Sequence, residues 1–195
     1  GVVSAYFLAK YYDAKLVFDV RDIWPLTLIE LGGFSNRNPL IWSMSIIEKF
    51  AYKKSDQIIS NVPLFKLYIE DLINLKDKVR IIPNGINLEE FVPSFNFNID
   101  NLSNILKGKF VVGYVGTIGT ANALDTLITA ASKIQNKDVH FLVVGNGSEL
   151  ASIKKSSKNL SNITFLNAVQ KNQVASILEL IDVGYLAQLP KEMYK

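Results

Sequence analysis

The sequence predicts an α/β protein with parallel sheets, laid out as two units. Three observations carry that prediction. Short β-branched or aromatic runs alternate with apolar stripes at helical spacing, the pattern of strands joined by crossover helices. Hydrophobic residues make up 49% of the 195 and charged residues 20%, enough for a substantial core and too apolar for a disordered chain. A polar, Asn-rich stretch interrupts the series, after which a buried-type strand restarts at Phe110.

The elements follow in order. A helix-like segment is already under way at Val2, with no initiator Met, so the chain is expected to begin inside a larger protein. Candidate strands are Lys15–Val20, Gln57–Ser60 and Val79–Ile82 in the first half. Phe110–Val115, Val139–Val144, Ile163–Leu166 and Val183–Leu186 follow in the second. Leu40, Met44, Ile47 and Ala51 form one helical stripe, and Leu124, Leu127, Ile128, Ala131 and Ile134 another; both read as core faces. Pro83-Asn84-Gly85 is a turn signal, followed by Phe91-Val92-Pro93 and by Ser94–Asn104, which has no clear period. The expected organisation is therefore a first unit over 1–92, a linker over 93–109 and a second unit over 110–195. Each has too few strands for a complete doubly wound domain.

Composition excludes several classes of function. Without cysteine there is no disulfide scaffold, thiolate metal site or cysteine nucleophile, which fits a reducing, cytoplasmic compartment. No apolar run approaches the roughly 18–20 residues that span a bilayer, and the first residues do not read as a signal peptide. The net charge of +3 rests on lysine, with Arg21, Arg37 and Arg80 the only arginines, a poor provision for nucleic acid. His140 is the only histidine and lies within a strand, where packing is its ordinary role. No residue spacing argues for a metal site, an acyl-enzyme or a cofactor. Glu89 and Glu90 read as a solvated first helical turn.

Three segments have the form of ligand-binding turns. Phe110–Val115 runs into Gly116, Thr117 and Gly119 before a helix expected near Asn122. Glycines admit a phosphate to the backbone, and free N–H groups at a helix start attract anions. A plain βα turn with Thr120 or Asn122 as N-cap explains the same residues. Gly145-Asn146-Gly147 repeats the pattern after the next strand; alone it reads as a common Gly-x-Gly turn, but two such turns ending neighbouring parallel strands favour a ligand-binding edge. In the first half, Arg21 and Asp22 leave the end of a strand ahead of Trp24-Pro25. An Arg there suits a bidentate grip on phosphate or carboxylate; an Arg21–Asp22 ion pair steadying the loop is the alternative.

Taken together, these segments resemble the glycosyltransferase family 4 enzymes of the GT-B fold, in the branch that builds bacterial capsule and O-antigen sugars. Arg21-Asp22-Ile23-Trp24-Pro25 looks like the branch's R-D-[LI]-W-P segment, and Ile82-Pro83-Asn84-Gly85-Ile86 like its P-N-G-[IV] turn. Val112–Gly119 resembles the first βα turn of the donor domain, and Val144-Gly145-Asn146-Gly147 its G-[DN]-G ending. The resemblance implies two Rossmann-like parallel-sheet domains, both incomplete in this chain, with the acceptor-side domain first and the donor domain second. There are departures. Where many members place an Arg and a Lys facing the donor diphosphate, Thr117 and Asn122 stand; where many have a His-Asp pair, Arg21-Asp22 stands. The family's Glu-x7-Glu segment would follow soon after Ala187–Lys195, so the chain reads as a central portion that alone does not transfer sugar.

The function so implied is retaining transfer from a nucleotide sugar, of UDP-hexose or UDP-N-acetylhexosamine type, to a lipid-linked sugar or glycan. The donor is expected in a cleft, against Gly116–Asn122 and Gly145–Gly147, with its base near Asn167-Ala168-Val169 and Asn84 among the binding residues. Chemistry would be metal-independent, with Arg21 as the candidate cation and Asp22 beside it. Lys49, Lys53 and Lys54, beside apolar residues in Leu40–Lys54, suggest peripheral contact with the inner membrane face, against the simpler reading of an amphipathic core helix. An enzyme resembling the UDP-N-acetylhexosamine epimerases and a non-catalytic nucleotide-binding module are the alternatives.

Overall fold

In the computed structural model, which describes residues 1–89, 91–93 and 100–189, the chain divides into two α/β units, Gly1–Gly85 and Ile86–Leu189. Each has its own parallel sheet and its own core.

The first unit runs α1 (Val2–Tyr11), β1 (Val17–Val20), α2 (Leu26–Glu30), α3 (Pro39–Lys54), β2 (Gln57–Ser60), α4 (Pro63–Ile73) and β3 (Val79–Ile81). The strands pair in the order β1-β2-β3, with Val17 opposite Gln57 and Ile58 opposite Val79. Strand side chains alternate between faces. Phe18, Val20, Ile58 and Val79 meet Tyr52 of α3 and Ile69 of α4 on one face, while Val17 and Asp19 of β1 are exposed. α3 starts where Asn38 accepts a hydrogen bond from the Leu40 N–H at 2.9 Å, with Pro39 in the first helical position.

The buried face of α3 is not the stripe expected from the sequence. Leu40 and Ile47 are exposed and Met44 half-buried; the buried residues are Ile41, Glu48, Ala51 and Tyr52. α3 is apolar on more than one side, so spacing does not single out a face. Its rotation follows Tyr52 packing into the core and Glu48 accepting a hydrogen bond from Tyr68 Oη of α4 at 3.3 Å.

The second unit runs α5 (Asp100–Leu106), β4 (Phe110–Val115), α6 (Leu124–Lys133), β5 (Val139–Val144), α7 (Leu150–Ser156), β6 (Ile163–Leu166), α8 (Val174–Leu178) and β7 (Val183–Gly184). Its strands are all parallel, in the order β6-β5-β4-β7. Leu124, Leu127, Ile128 and Ala131 of α6 cover one face with Phe141 and Val143; α5 and α8 cover the other with Leu142 and Val144. Helices on both faces explain why β5 reads as an uninterrupted apolar run.

The segment expected as a linker, 93–109, holds α5. Leu102 and Leu106, four residues apart and so on one side of that helix, are buried against Val111 and Ile177. The units therefore divide between Gly85 and Ile86, ahead of the expected boundary. Gly85 has open space around its Cα and a φ outside the left-handed region, so nothing there requires glycine. Glu89 sits in a turn where its N–H donates to Asn87 Oδ1 at 3.1 Å rather than in a helix; Glu90 and 190–195 lie outside the described residues.

Candidate functional site

In the second unit the chain leaves three neighbouring strands, β4, β5 and β6, at one edge of the sheet. The ladder continues past the strand ends. Gly116 N–H donates to the Val144 carbonyl at 2.9 Å, Gly145 N–H to Leu166 at 3.0 Å, Ile118 N–H to Asn146 at 2.9 Å and Glu149 N–H to Ile118 at 3.0 Å. The two glycine turns are thereby zipped together. A Cβ on Gly145, whose φ is +150°, would overlap the Gly116 carbonyl oxygen, and one on Gly147 the Ile118 carbonyl oxygen. Close packing between turns thus demands glycine at both positions, whatever ligand is bound.

The first turn is held from inside. Its Thr117 carbonyl accepts from Tyr114 Oη at 2.6 Å and from Asn122 Nδ2 at 2.7 Å, and Ile118 is fully buried. Ala123, at φ +46°, stands at the N-cap of α6, so neither Thr120 nor Asn122 caps that helix. The Asn122 amide is committed to turn geometry. Among the described residues, the N–H groups of Thr117, Gly119, Thr120, Asn146, Gly147 and Ser148 make no hydrogen bond. An edge of unpaired amides is what an anion needs. Neither turn contains a lysine or arginine over 116–123 or 145–149, and Glu149 accepts a 3.4 Å bond from Thr120 Oγ1. Backbone dipoles are therefore the local source of positive potential. Val169 packs half-buried against the α5–α8 core, while Asn167 and Ala168 beside it are exposed.

In the first unit the ends of β1, β2 and β3 share one edge and bring Arg21, Asp22, Asn61 and Asn84 to it. The Arg21–Asp22 ion pair is not formed. Arg21 Nε pairs instead with Asp19 Oδ2 at 2.9 Å, its side chain 68% exposed. Asp22 Oδ1 accepts from Thr27 Oγ1 at 2.6 Å and from the Ile23 N–H at 2.8 Å, so this oxygen secures the turn into α2. Asn84 is exposed.

Two groups at this end escaped the sequence reading. Glu48 lines a cavity of about 430 Å³ with Phe18, Val20, Trp24, Met44 and Tyr52, beside Arg21 and Asp22. Burial pushes its carboxyl up to about 7, against the opposing hydrogen bonds from Tyr52 and Tyr68. A lone acid in the apolar run Ile46-Ile47-Glu48 was the available signal. The second is Asn61, whose Oδ1 is buried without a partner at the end of β2. His140 fills the packing role expected of it: it is buried, its Nε2 lies 2.9 Å from Thr164 Oγ1, and burial, then Lys109, lowers its pKa. Among the described residues no group of three acidic or histidine side chains is placed to hold a metal, and no helix is long and apolar enough to cross a membrane.

Residues 109–193 match the family described as Glycosyl transferases group 1. The chain is 25% identical over 93% of its length to the putative colanic acid biosynthesis glycosyl transferase WcaI of Escherichia coli K12, and 22% identical over 72% to the probable glycosyltransferase WbjE of Pseudomonas aeruginosa. It spans 46% and 36% of those relatives' lengths. Among solved structures it is similar to HepE of Anabaena, crystallised with UDP and glucose (TM-score 0.70, 15% identity, 96% of this chain and 50% of that one). WaaG, a glycosyltransferase of lipopolysaccharide biosynthesis, gives 0.68 at 15% identity over 95% of this chain and 56% of that one. Residues 109–193 thus carry the match to the group 1 glycosyltransferases, and the chain has the α/β fold of the GT-B enzymes.

Proposed function

We propose that this chain belongs to a retaining glycosyltransferase that moves a sugar from a UDP-hexose or UDP-N-acetylhexosamine to a lipid-linked or glycan acceptor in bacterial surface polysaccharide synthesis. The second unit binds the donor and the first serves the acceptor. The observation that carries the reading is the zipped pair of turns with unpaired amides at Thr117, Gly119, Thr120 and Asn146–Ser148. The names of WcaI and WbjE and the UDP held by HepE support it.

The chemistry asks for stabilisation of negative charge as the nucleoside diphosphate leaves. Fixed N–H groups supply it without reorganising at the moment of reaction. Gly116 and Gly119 keep the backbone accessible, and the exposed Asn167-Ala168 loop, beside half-buried Val169, offers a place for the base. Arg21 retains its terminal guanidinium nitrogens beyond the Nε bond to Asp19, which makes it the first unit's candidate group for binding an anion. Asp22 acts by holding that loop in shape.

Gly119→Asp tests the donor site directly. A Cβ at this position meets only ordinary contacts, and φ −124° suits any residue, so the fold should persist. The added carboxylate would sit among the amides offered to the diphosphate. Titration calorimetry with UDP should show affinity falling by roughly 100-fold or more, about 3 kcal/mol. Unchanged affinity would remove this turn from the donor site.

A further inference from the structure

We propose that Tyr114 and Asn122 are positioning residues for the donor diphosphate: together they hold the Thr117 carbonyl and so aim the free amides on either side of it. The inference rests on the donor-site reading and names what sets the geometry of that site.

The peptide between Thr117 and Ile118 is pinned at both ends. Its carbonyl accepts from Tyr114 Oη at 2.6 Å and from Asn122 Nδ2 at 2.7 Å, while its N–H, that of Ile118, donates to the Asn146 carbonyl at 2.9 Å. The next peptide is pinned at one end, where the Ile118 carbonyl accepts from the Glu149 N–H at 3.0 Å. A trans peptide is planar, so its C=O and N–H point opposite ways. Fixing the Ile118 carbonyl on Glu149 therefore turns the Gly119 N–H away from Glu149. The locked plane before it sets the angle between that N–H and the N–H of Thr117. Both amides are without a partner among the described residues.

A carbonyl oxygen has two lone pairs, and here both are used. Released from its donors, this peptide could rotate and turn the Thr117 oxygen toward the Asn146 carbonyl. That would part the two turns and scatter the N–H groups of both. Neither turn contains a lysine or arginine, so the directions of these N–H groups decide how well an anion is held. Tyr114 suits the task. It is buried, and its ring has room beneath the turn because a Cβ on Gly116 would stand only 3.0 Å from Oη. Burial also raises its pKa, so the hydroxyl stays a donor. Asn122 supplies the second donor from the 3-10 turn Thr120–Asn122. Its part in the site is thus to support the backbone that meets the ligand.

The test uses the 195-residue chain and calorimetry with UDP and with UMP, which lacks the second phosphate. Tyr114→Phe and Asn122→Ala each leave one donor on the carbonyl and should lower UDP affinity by roughly threefold. The double variant leaves none and should lower it by roughly 50-fold, well beyond the product of the two. UMP affinity should fall by no more than roughly threefold in any of them, because the held amides serve the diphosphate. General damage to the unit would weaken both nucleotides alike. Equal losses for UDP and UMP, or a double variant no weaker than the product of the singles, would overturn the proposal. If circular dichroism shows the double variant unfolded, the single variants decide: UDP weakened with UMP unchanged supports the proposal, and any other pattern overturns it. A parent chain that does not bind UDP overturns the donor-site reading and this proposal with it. UDP binding weakened by Gly119→Asp alone overturns only the positioning roles.

Discussion

Glu48 is the residue where burial and ionisation conflict most. Its carboxyl lies under α3 with Tyr52 and Tyr68 donating to it, and burial raises it from the ordinary carboxylate range to about 7. Burial likewise pushes both tyrosine hydroxyls above their usual value, with the Glu48 charge adding to it, so the tyrosines stay donors. In the unfolded chain Glu48 ionises near 4.5, in the folded chain near 7. The folded state therefore holds the extra proton between those values. Its stabilising contribution is complete below the lower value and lost as pH rises through the upper one. Stability of the first unit should fall by about 2 kcal/mol between pH 5 and pH 8 from this group, and Glu48→Gln should flatten that slope. Urea titrations of both proteins at the two pH values give the measurement; an unaltered slope would place the charge elsewhere. The sequence shows a carboxylate in an apolar run, but its hydrogen-bond partner Tyr68 comes from another helix, twenty residues away.

At the scale of elements, what was legible was what one local pattern decides. All seven strands form where β-branched and aromatic runs predict them, with differences only at their ends. The α6 stripe is buried as expected through Leu124, Leu127, Ile128 and Ala131, whereas Ile134 lies past the helix end and is exposed. α3 fails the same test because apolar residues surround it, so tertiary contacts choose its face. α5 was hidden in a polar stretch whose two useful residues, Leu102 and Leu106, are too few to show a period. The glycine turns were legible as turns, while their reason was only half so. Gly145 and Gly147 are required by the neighbouring turn, and sequence does not show what a missing side chain makes room for. Gly145→Ala should therefore cost about 2–4 kcal/mol in urea unfolding of the second unit, since the Cβ meets a backbone carbonyl and φ is strained. A loss below about 0.5 kcal/mol would mean that the zipper yields easily.

At the scale of the whole molecule, the two sheets share no strand and the clusters on either side of the Gly85–Ile86 division are built from different residues. A unit with its own sheet and core should fold without its neighbour. The second is the better equipped, since helices cover both faces of its four strands, whereas the packed cluster of the first draws on one face of three. Expressed alone, residues 86–189 should unfold cooperatively and match the second of two transitions in urea unfolding of the whole chain. They also contain every amide of the zipped turns, so nucleotide binding should travel with them. UDP affinity of the isolated unit should stay within about tenfold of the 195-residue chain, a difference of about 1.4 kcal/mol, because the unpaired amides of both turns are retained. Calorimetry with UDP on the two proteins gives the comparison. A far larger loss would show that UDP binding depends on residues outside 86–189. An isolated unit that does not fold would show that its core depends on residues outside 86–189.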